Sequence, residues 1–524
     1  MSRVIFTTTR KAADMIRDNS LIGSCGFMLT GAPEEILLEI ERRYLETQEP
    51  KNLSFMWASG IGDGGSVRGL NHLCHEGLLT KVIGGHFGLI KRMGPMVIEN
   101  KIQAYNFPQG VLCQMFRDMA AGKPGTITHV GLGTFVDPDY SGGKLNEATK
   151  EDIVKKIELD GRDYLYYRAQ KLDYAIIRGT EADENGNISL RKEALTLESL
   201  SVAMAAKNNG GKVIVQVEKV VKNGTIPPKE VKIPGILVDV VAVVSDIKNH
   251  MQTAGTQYNE DFISNAGVFH AVSVNVPLDE KTVIARRSAL ELKMHHRVLN
   301  YGIGVPERVV SVLKEEDIDH YFVASVEPGL VGGIAQGGLN FGSAISPQAI
   351  IDEPYQFDFY DGGGIDVTFL GMAECDSLGN LNVSKFGVRL AGCGGFIDIS
   401  QNAKSVMFCG TFTADGLEVD IVDGKLKIST EGRIKKFKKA IEQITFNGDY
   451  EKAKGNRKVL YVTERAVFQL MPEGLTLIEI APGIDLQTEV LDQMEFRPII
   501  SDELKVMDAR IFERGRMGLR ESFA

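Results

Sequence analysis

The chain has 524 residues, 43% of them hydrophobic and 24% charged, a length that asks for more than one core. A formal net charge of −10 and the lack of any Lys/Arg run interleaved with aromatics argue against a nucleic-acid surface. No apolar run reaches the ~18 residues of a membrane span, and MSRVIFTTTRKAAD has no apolar signal core, so the expected compartment is the cytoplasm.

In chain order, PEEILLEIERRYLE is the first clear helix, with Ile36, Leu37, Ile40 and Tyr44 at helical spacing. FMWAS (55–59) reads as a strand end. His72-x-Cys74-His75 invites a metal assignment, but adjacent ligands without a second pair make a poor tetrahedral site, so no metal is expected. His86 in IGGHFG and Gln109 in FPQGVL are polar residues in Gly-rich settings. KVIVQVEKVV and SVMFCGTFT read as strands, EGRIKKFKKAIEQI as a helix, and a helical tail is predicted around Asp502–Met517. The alternation predicts an α/β fold with buried sheets. The six cysteines are Cys25, Cys74, Cys113, Cys375, Cys393 and Cys409; they are scattered without a CxxC pair and read as reduced thiols.

Internal self-similarity is more informative. KAADMIRDNSLIGSCGFMLTGAPEEILLEI and RRSALELKMHHRVLNYGIGVPERVVSVL share one order, helix, strand end, then Gly-x-Pro-Glu opening a second helix. Gly31-Ala32-Pro33-Glu34 corresponds to Gly304-Val305-Pro306-Glu307, with Pro where a first helical turn tolerates it. FMWAS is echoed by YFVAS (321–325), and LDYAIIRGTEADENGNIS (172–189) by IDVTFLGMAECDSLGNLNVS (365–384). Two homologous open α/β domains follow, 1–275 and 281–524, with the boundary near AVSVNVPLDEKTV (271–283).

The repeat exposes one asymmetry. After Ala-Ser the first copy continues Gly60-Ile61-Gly62, whereas the second continues Val326-Glu327-Pro328-Gly329. Glu327 is thus an acid added to one half of a pseudo-symmetric pair, before a loop rich in glycine. A solvated turn residue is the plain reading. The glycines are easier to explain if a ligand must approach the backbone closely. Gly302-Ile303-Gly304-Val305-Pro306 follows a strand and opens a helix, a setting that suits an anion, although most such turns only connect. Gly392-Cys393-Gly394-Gly395-Phe396 offers amides without bulk; Cys393 as a nucleophile lacks a partner base. Asn380 has a counterpart in Asn187, and a turn-forming Gly-Asn accounts for both.

ELKMHHRVLNYGIGVPERV, Glu327 in SVEPGLVGG, and GCGGFIDIS together resemble the family I CoA-transferases, closest to the propionate/acetate (short-chain acyl) branch. PQG (108–110), YQFDFYDGGGID, EQITFNGD and EIAPGIDLQT fit the same pattern, so the resemblance covers nearly the whole chain. It implies two CoA-transferase-type α/β domains in one polypeptide, the second carrying the catalytic glutamate. It implies ping-pong transfer of CoA between short-chain carboxylic acids through a glutamyl-CoA thioester on Glu327. Gly394 and Gly395 would supply backbone donors, with Gln109 and Asn380 as further oxyanion or substrate contacts, and Gly302, Ile303, Gly304, Val305 and Pro306 would contact CoA. The implied partners are acyl-CoA and carboxylates, with no cofactor beyond CoA as substrate, and a homo-oligomer, by the family a tetramer. Pro328 departs from the small residue expected after the nucleophile and removes one amide. The rivals are an acyl-CoA hydrolase on the same scaffold and a non-catalytic CoA-binding protein.

Overall fold

The structure is a computed structural model that describes residues 4–265, 276–455 and 457–523. The chain divides into two compact units, one of Met1–Gly267, Val326–Asp358 and Lys385–Asp398, the other of Val268–Ser325, Phe359–Ser384 and Ile399–Ala524. The division is not the single cut expected at 271–283, of which 271–275 lie outside the described residues. Two segments of the C-terminal half belong to the first unit, and Glu327 with them. Side chains on those segments explain why. Phe341 packs on Phe27 with ring centroids 5.5 Å apart, and Asp352 accepts from Thr196 Oγ1 at 2.8 Å and pairs with Lys232.

The first unit is built on eight parallel strands: β1 (Ile5–Thr8), β2 (Leu21–Ser24), β3 (Leu53–Trp57), β4 (Leu79–Gly84), β5 (Gln103–Asn106), β6 (Tyr174–Arg178), β7 (Lys212–Val217) and β8 (Val240–Val243). Their spatial order is β1-β8-β7-β6-β2-β3-β4-β5. β6 and β7 are buried almost throughout, as near-continuous apolar strands of a covered parallel sheet should be. Helix α1 (Thr9–Ala13) precedes β2, and α2 (Glu34–Thr47) follows it with Ile36, Leu37 and Ile40 fully buried. The free amides of Glu35 and Ile36 at the start of α2 donate to Gln216 Oε1 at 3.0 and 3.1 Å, so the helix end is satisfied from β7.

In the second unit, helix Glu280–Ala289 leads to β9 (Val298–Tyr301), helix Glu307–Glu315 and β10 (Val323–Val326). β11 (Val367–Gly371), β12 (Ser405–Cys409) and β13 (Lys458–Val462) complete the run β10-β9-β11-β12-β13, all parallel. The chain-order equivalents in the first unit, β3-β2-β6-β7-β8, have the same spatial order, so the duplication read from sequence is present in the topology. Even the hairpins agree. Asp183 accepts from Asn185 N, Asn187 N and Asn187 Nδ2, while Asp376 accepts from Leu378 N, Asn380 N and Asn380 Nδ2.

Two predicted helices are absent. EGRIKKFKKAIEQI is extended or irregular: the Lys438 amide donates to the Cys375 carbonyl, and Cys375 to that of Lys436. Phe437, fully buried, packs 4.7 Å from Phe412 and 4.9 Å from Phe468, so tertiary pairing overrides the helical spacing. The expected tail helix is instead a strand, Ile499–Val506, paired in parallel with Gly474–Ile480, then a short 3-10 turn at Ala509–Phe512.

Candidate active site

Glu327 sits in a tight turn of the first unit, closed by the Gly329 amide on the Val326 carbonyl at 3.2 Å. Gly329 has φ +109°, and a β-carbon there would stand 2.0 Å from the Ile351 carbonyl oxygen. Only glycine closes this turn. Gly332 and Gly333 likewise have φ of +69° and +76°, and their β-carbons would collide with Gln348 and with the Ile345 carbonyl. Gly329, Gly332 and Gly333 therefore serve the backbone of their own hairpins, a correction for these three to the idea that they admit a ligand.

Among the described residues the Glu327 carboxylate makes no hydrogen bond or ion pair. Burial first, and then the negative charge of Glu353, push it up to about 7. The residue as a whole stays partly exposed, so the carboxyl is desolvated by its surround without being sealed from approach.

That surround is the loop before helix Phe396–Asn402. A β-carbon on Gly395 would lie 3.1 Å from Glu327 Cδ, 3.3 Å from its Oε1 and 3.1 Å from Phe357 Cζ. The loop is pinned from below. Cys393 N–H donates to Asn106 Oδ1 at 2.9 Å, Gly394 N–H to the Gly85 carbonyl at 2.8 Å, and Gln109 N–H to the Gly394 carbonyl at 2.9 Å. The Gly394 amide is therefore engaged and cannot double as the expected donor. The Gly395 amide has no acceptor among the described residues. Cys393 is buried, and desolvation raises its thiol well above the ordinary value, so the nucleophile reading of that residue has no support. His86 packs beside Gly394, and burial alone lowers its imidazole to about 4, leaving it neutral.

Gln109 opens helix α3 (Gln109–Ala120) behind Pro108 and is buried. Its Nε2 donates to Glu353 Oε1 at 2.5 Å. Glu353, fully buried, faces Glu198, and ligand atoms of Glu198, Glu353 and Cys113 all lie within 4.8 Å of one another. Desolvation raises Glu198 to about 7, and desolvation followed by the charge of Glu198 raises Glu353 well above the carboxylate range. Sequence reading missed both acids. Each stands next to an ordinary helix start, Glu198 before Ser199–Asn208 and Glu353 ahead of Pro354, and nothing local marks them as buried.

The remaining expectations divide. Gly302–Pro306 belongs to the second unit, at the carboxyl end of β9. Its neighbours β10 and β11 lie on opposite sides of β9, which makes this a switch point where open α/β sheets receive ligands. The Gly302 amide donates to the Phe369 carbonyl at 2.8 Å, and Gly304, at φ +87°, would meet nothing within 4 Å. Asn380 is also in the second unit, and both ends of its amide are engaged: Nδ2 on Asp376 at 2.8 Å and Oδ1 with Gly448 N–H at 2.8 Å. The turn reading explains it, and the substrate role does not fit. His72 bonds Glu34 at 3.0 Å and Glu41 at 2.5 Å, His75 bonds Glu41 at 2.7 Å, and Cys74 points to the Leu70 carbonyl, so this cluster is a hydrogen-bonded network. No helix among the described residues is long and apolar enough to cross a membrane.

Comparison with known proteins gives these features a context. The family model described as "Coenzyme A transferase" matches residues 6–244. A caffeate CoA-transferase of Acetobacterium woodii is 47% identical over 519 residues, 98% of each chain. The acetate CoA-transferase YdiF of Escherichia coli O157:H7 is 43% identical over 98% of this chain and 96% of its own. The crystal structure of the acyl-CoA transferase YdiF of E. coli O157:H7 as a thioester complex with CoA matches with a TM-score of 0.91 at 42% identity, covering 99% of this chain and 98% of that one.

Proposed function

The chain belongs to family I of the CoA-transferases, near its acetate branch, and from that premise we propose that it moves CoA between short-chain carboxylic acids in a ping-pong cycle on Glu327. The observation that carries this reading is the Glu327 carboxylate itself, desolvated, unpaired among the described residues, and set against the bare backbone of Gly395.

A carboxylate is a weak nucleophile, and its reactivity here comes from position and partial desolvation. A Glu327 oxygen attacks the thioester carbonyl carbon of the acyl-CoA. The C–S bond breaks, CoA leaves as thiolate, and a mixed anhydride remains. The thiolate then attacks the glutamyl carbonyl carbon, the bond from that carbon to the bridging oxygen breaks, and the first acid departs as carboxylate with that oxygen. The enzyme is left as a glutamyl-CoA thioester, and an incoming carboxylate runs the two exchanges in reverse. No net proton and no electron is transferred, so the chemistry asks for no metal or redox group.

Each exchange passes through a tetrahedral oxyanion. The Gly395 amide and the second Nε2 hydrogen of Gln109 are the donors we assign to it. Within the second unit we assign Gly302–Pro306 to CoA contact, since Gly304 has open space where a β-carbon would stand. The cytoplasm and a homo-oligomer complete the reading. One experiment tests its centre. Enzyme given acetyl-CoA or propionyl-CoA without acceptor should gain one CoA mass on the tryptic peptide containing Glu327, and hydroxylamine should remove it. Adding acetate, propionate or caffeate should then discharge the adduct and rank the acceptors. Release of free CoA without any acceptor would mark a hydrolase.

A further inference from the structure

Behind Gln109 lies a pair of carboxyls for which the transfer cycle has no use. Glu198 is 1% and Glu353 0% exposed; both oxygens of Glu198 and Oε2 of Glu353 lack a hydrogen-bond partner in the described structure, and no salt bridge reaches either acid there. Gln109 Nε2 donates to Glu353 Oε1, but no cation reaches the pair among the described residues, and two desolvated carboxylates at this range cannot both stay charged. One proton between them resolves the conflict, since a protonated oxygen donates to its charged neighbour.

The local fold forces the two acids together. The Glu353 amide donates to the Leu197 carbonyl at 3.2 Å, and Asp352 holds Thr196 at 2.8 Å and also pairs with Lys232. Leu197, next to Glu198, is buried with φ +52°, a left-handed conformation costly for a branched side chain. Glu198 precedes helix Ser199–Asn208 and Glu353 begins helix Glu353–Asp361, so two positive helix ends accommodate one negative charge. The other titratable groups acting on this cluster are Cys25, Cys113, Glu327 and, through Cys113, Asp398; none is a cation, and the backbone of Ala58 and of Glu198 itself adds only neutral groups.

We propose that Glu198 and Glu353 hold one proton between them as a single anionic unit, and that this unit positions the Gln109 amide beside Glu327. The unit accepts one Nε2 hydrogen of Gln109 at 2.5 Å and so fixes the direction of the other. Its charge also works on Glu327 directly, opposing ionisation of the nucleophile and keeping it basic. Both acids are positioning residues, since neither touches the reacting atoms.

The proposal rests on the Glu327 reading, and the test separates the two. Single-turnover formation of the CoA adduct from acetyl-CoA is followed against pH in wild type, Glu198→Gln, Glu198→Leu and Glu353→Gln. No adduct in wild type defeats the transfer reading itself. With the adduct formed, Glu198→Leu should slow it roughly 10²-fold at unchanged acyl-CoA KM, the scale of losing one oriented donor. Glu198→Gln replaces the shared O–H by an amide N–H and should retain most of the rate, with its acid limb in place. Glu353→Gln confines the unit's charge to Glu198, away from the one acid of the pair that acts on Glu327, and should move the acid limb to lower pH, which a merely structural role would not do. Equal losses in the two Glu198 variants, an unmoved limb in Glu353→Gln, or a divalent ion recovered stoichiometrically with wild type would each overturn the shared proton. If Glu198→Leu does not fold, the limb of Glu353→Gln decides.

Discussion

A β-carbon on Gly395 would stand 3.1 Å from Glu327 Cδ, so the nucleophile rests directly on a residue with no side chain. The backbone of Gly395 is not in the left-handed region, and alanine is sterically admissible to its own φ and ψ. The added methyl meets Glu327 and Phe357 first and must displace one of them by a few tenths of an ångström. Gly395→Ala should therefore keep the melting temperature of wild type and lose about 10²-fold in kcat/KM, because attack geometry is more sensitive than stability. Steady-state rates and thermal melts on one preparation check this. Undiminished turnover would contradict the placement.

Glu327→Gln preserves size and replaces the carboxylate by an amide with no useful nucleophilicity. Transfer should fall by at least about 10³-fold, with CoA affinity retained. Glu327→Asp keeps the charge but withdraws it by roughly one bond length, ~1.5 Å, which a near-attack geometry does not tolerate. It should be impaired almost as severely. Acetyl-CoA turnover and intact mass of both variants decide the point, and the result to look for is whether Cys393 takes up any adduct in their place.

The pH dependence follows from the raised Glu327 carboxyl at about 7. Its nucleophilic form is the deprotonated one, so first-half-reaction rates should fall tenfold per pH unit below that value and level off above it. An ordinary carboxylate would put the bend two to three units lower, near its usual ~4.3. A rate flat from pH 5 to 8 would show that the desolvation seen around Glu327 is not felt by the free enzyme.

Much of this was legible in the sequence. The duplicated strand order and the asymmetric acid come directly from repeat spacing, because a parallel α/β unit writes its elements in chain order. The family motifs carried Glu327, Gln109 and the Gly392–Gly395 loop. What was not legible is pairing across long separations. Glu198 and Glu353 are 155 positions apart, by 353 minus 198, and only the fold makes them neighbours. The same limit explains the two missing helices: Phe437 and Ile434 keep helical spacing while the chain they sit on pairs with Cys375 and with Thr413–Ala414, and the expected tail helix gives way to a strand paired with Gly474–Ile480. It also explains Gly394, whose amide is engaged by a carbonyl from Gly85 that no motif announces.

The His72 network predicts a stability effect separate from catalysis. Burial pulls His72 down, yet the hydrogen bonds it donates to Glu34 and Glu41 outweigh it and hold the imidazole up to about 9, against 6.5 as the ordinary value. Burial likewise opposes the Glu41 charge, but His72, His75 and Arg92 bring that carboxyl down to about 2 from 4.5. A raised histidine stabilises fully below its unfolded value and loses that contribution as pH rises through its folded value. The window for His72 is thus from about 6.5 to 9. Glu41 contributes above 4.5 and loses its share as pH falls through about 2. His72→Gln removes the cation, so wild type should exceed it in melting temperature at pH 6, and the gap should shrink steadily toward pH 9.5. Adding a chelator should leave both melts unchanged, since the carboxylates already occupy the ring nitrogens. Thermal melts of the two proteins at pH 6.0, 7.5 and 9.5 supply the comparison, and a gap of constant size would show that His72 is neutral in the folded protein.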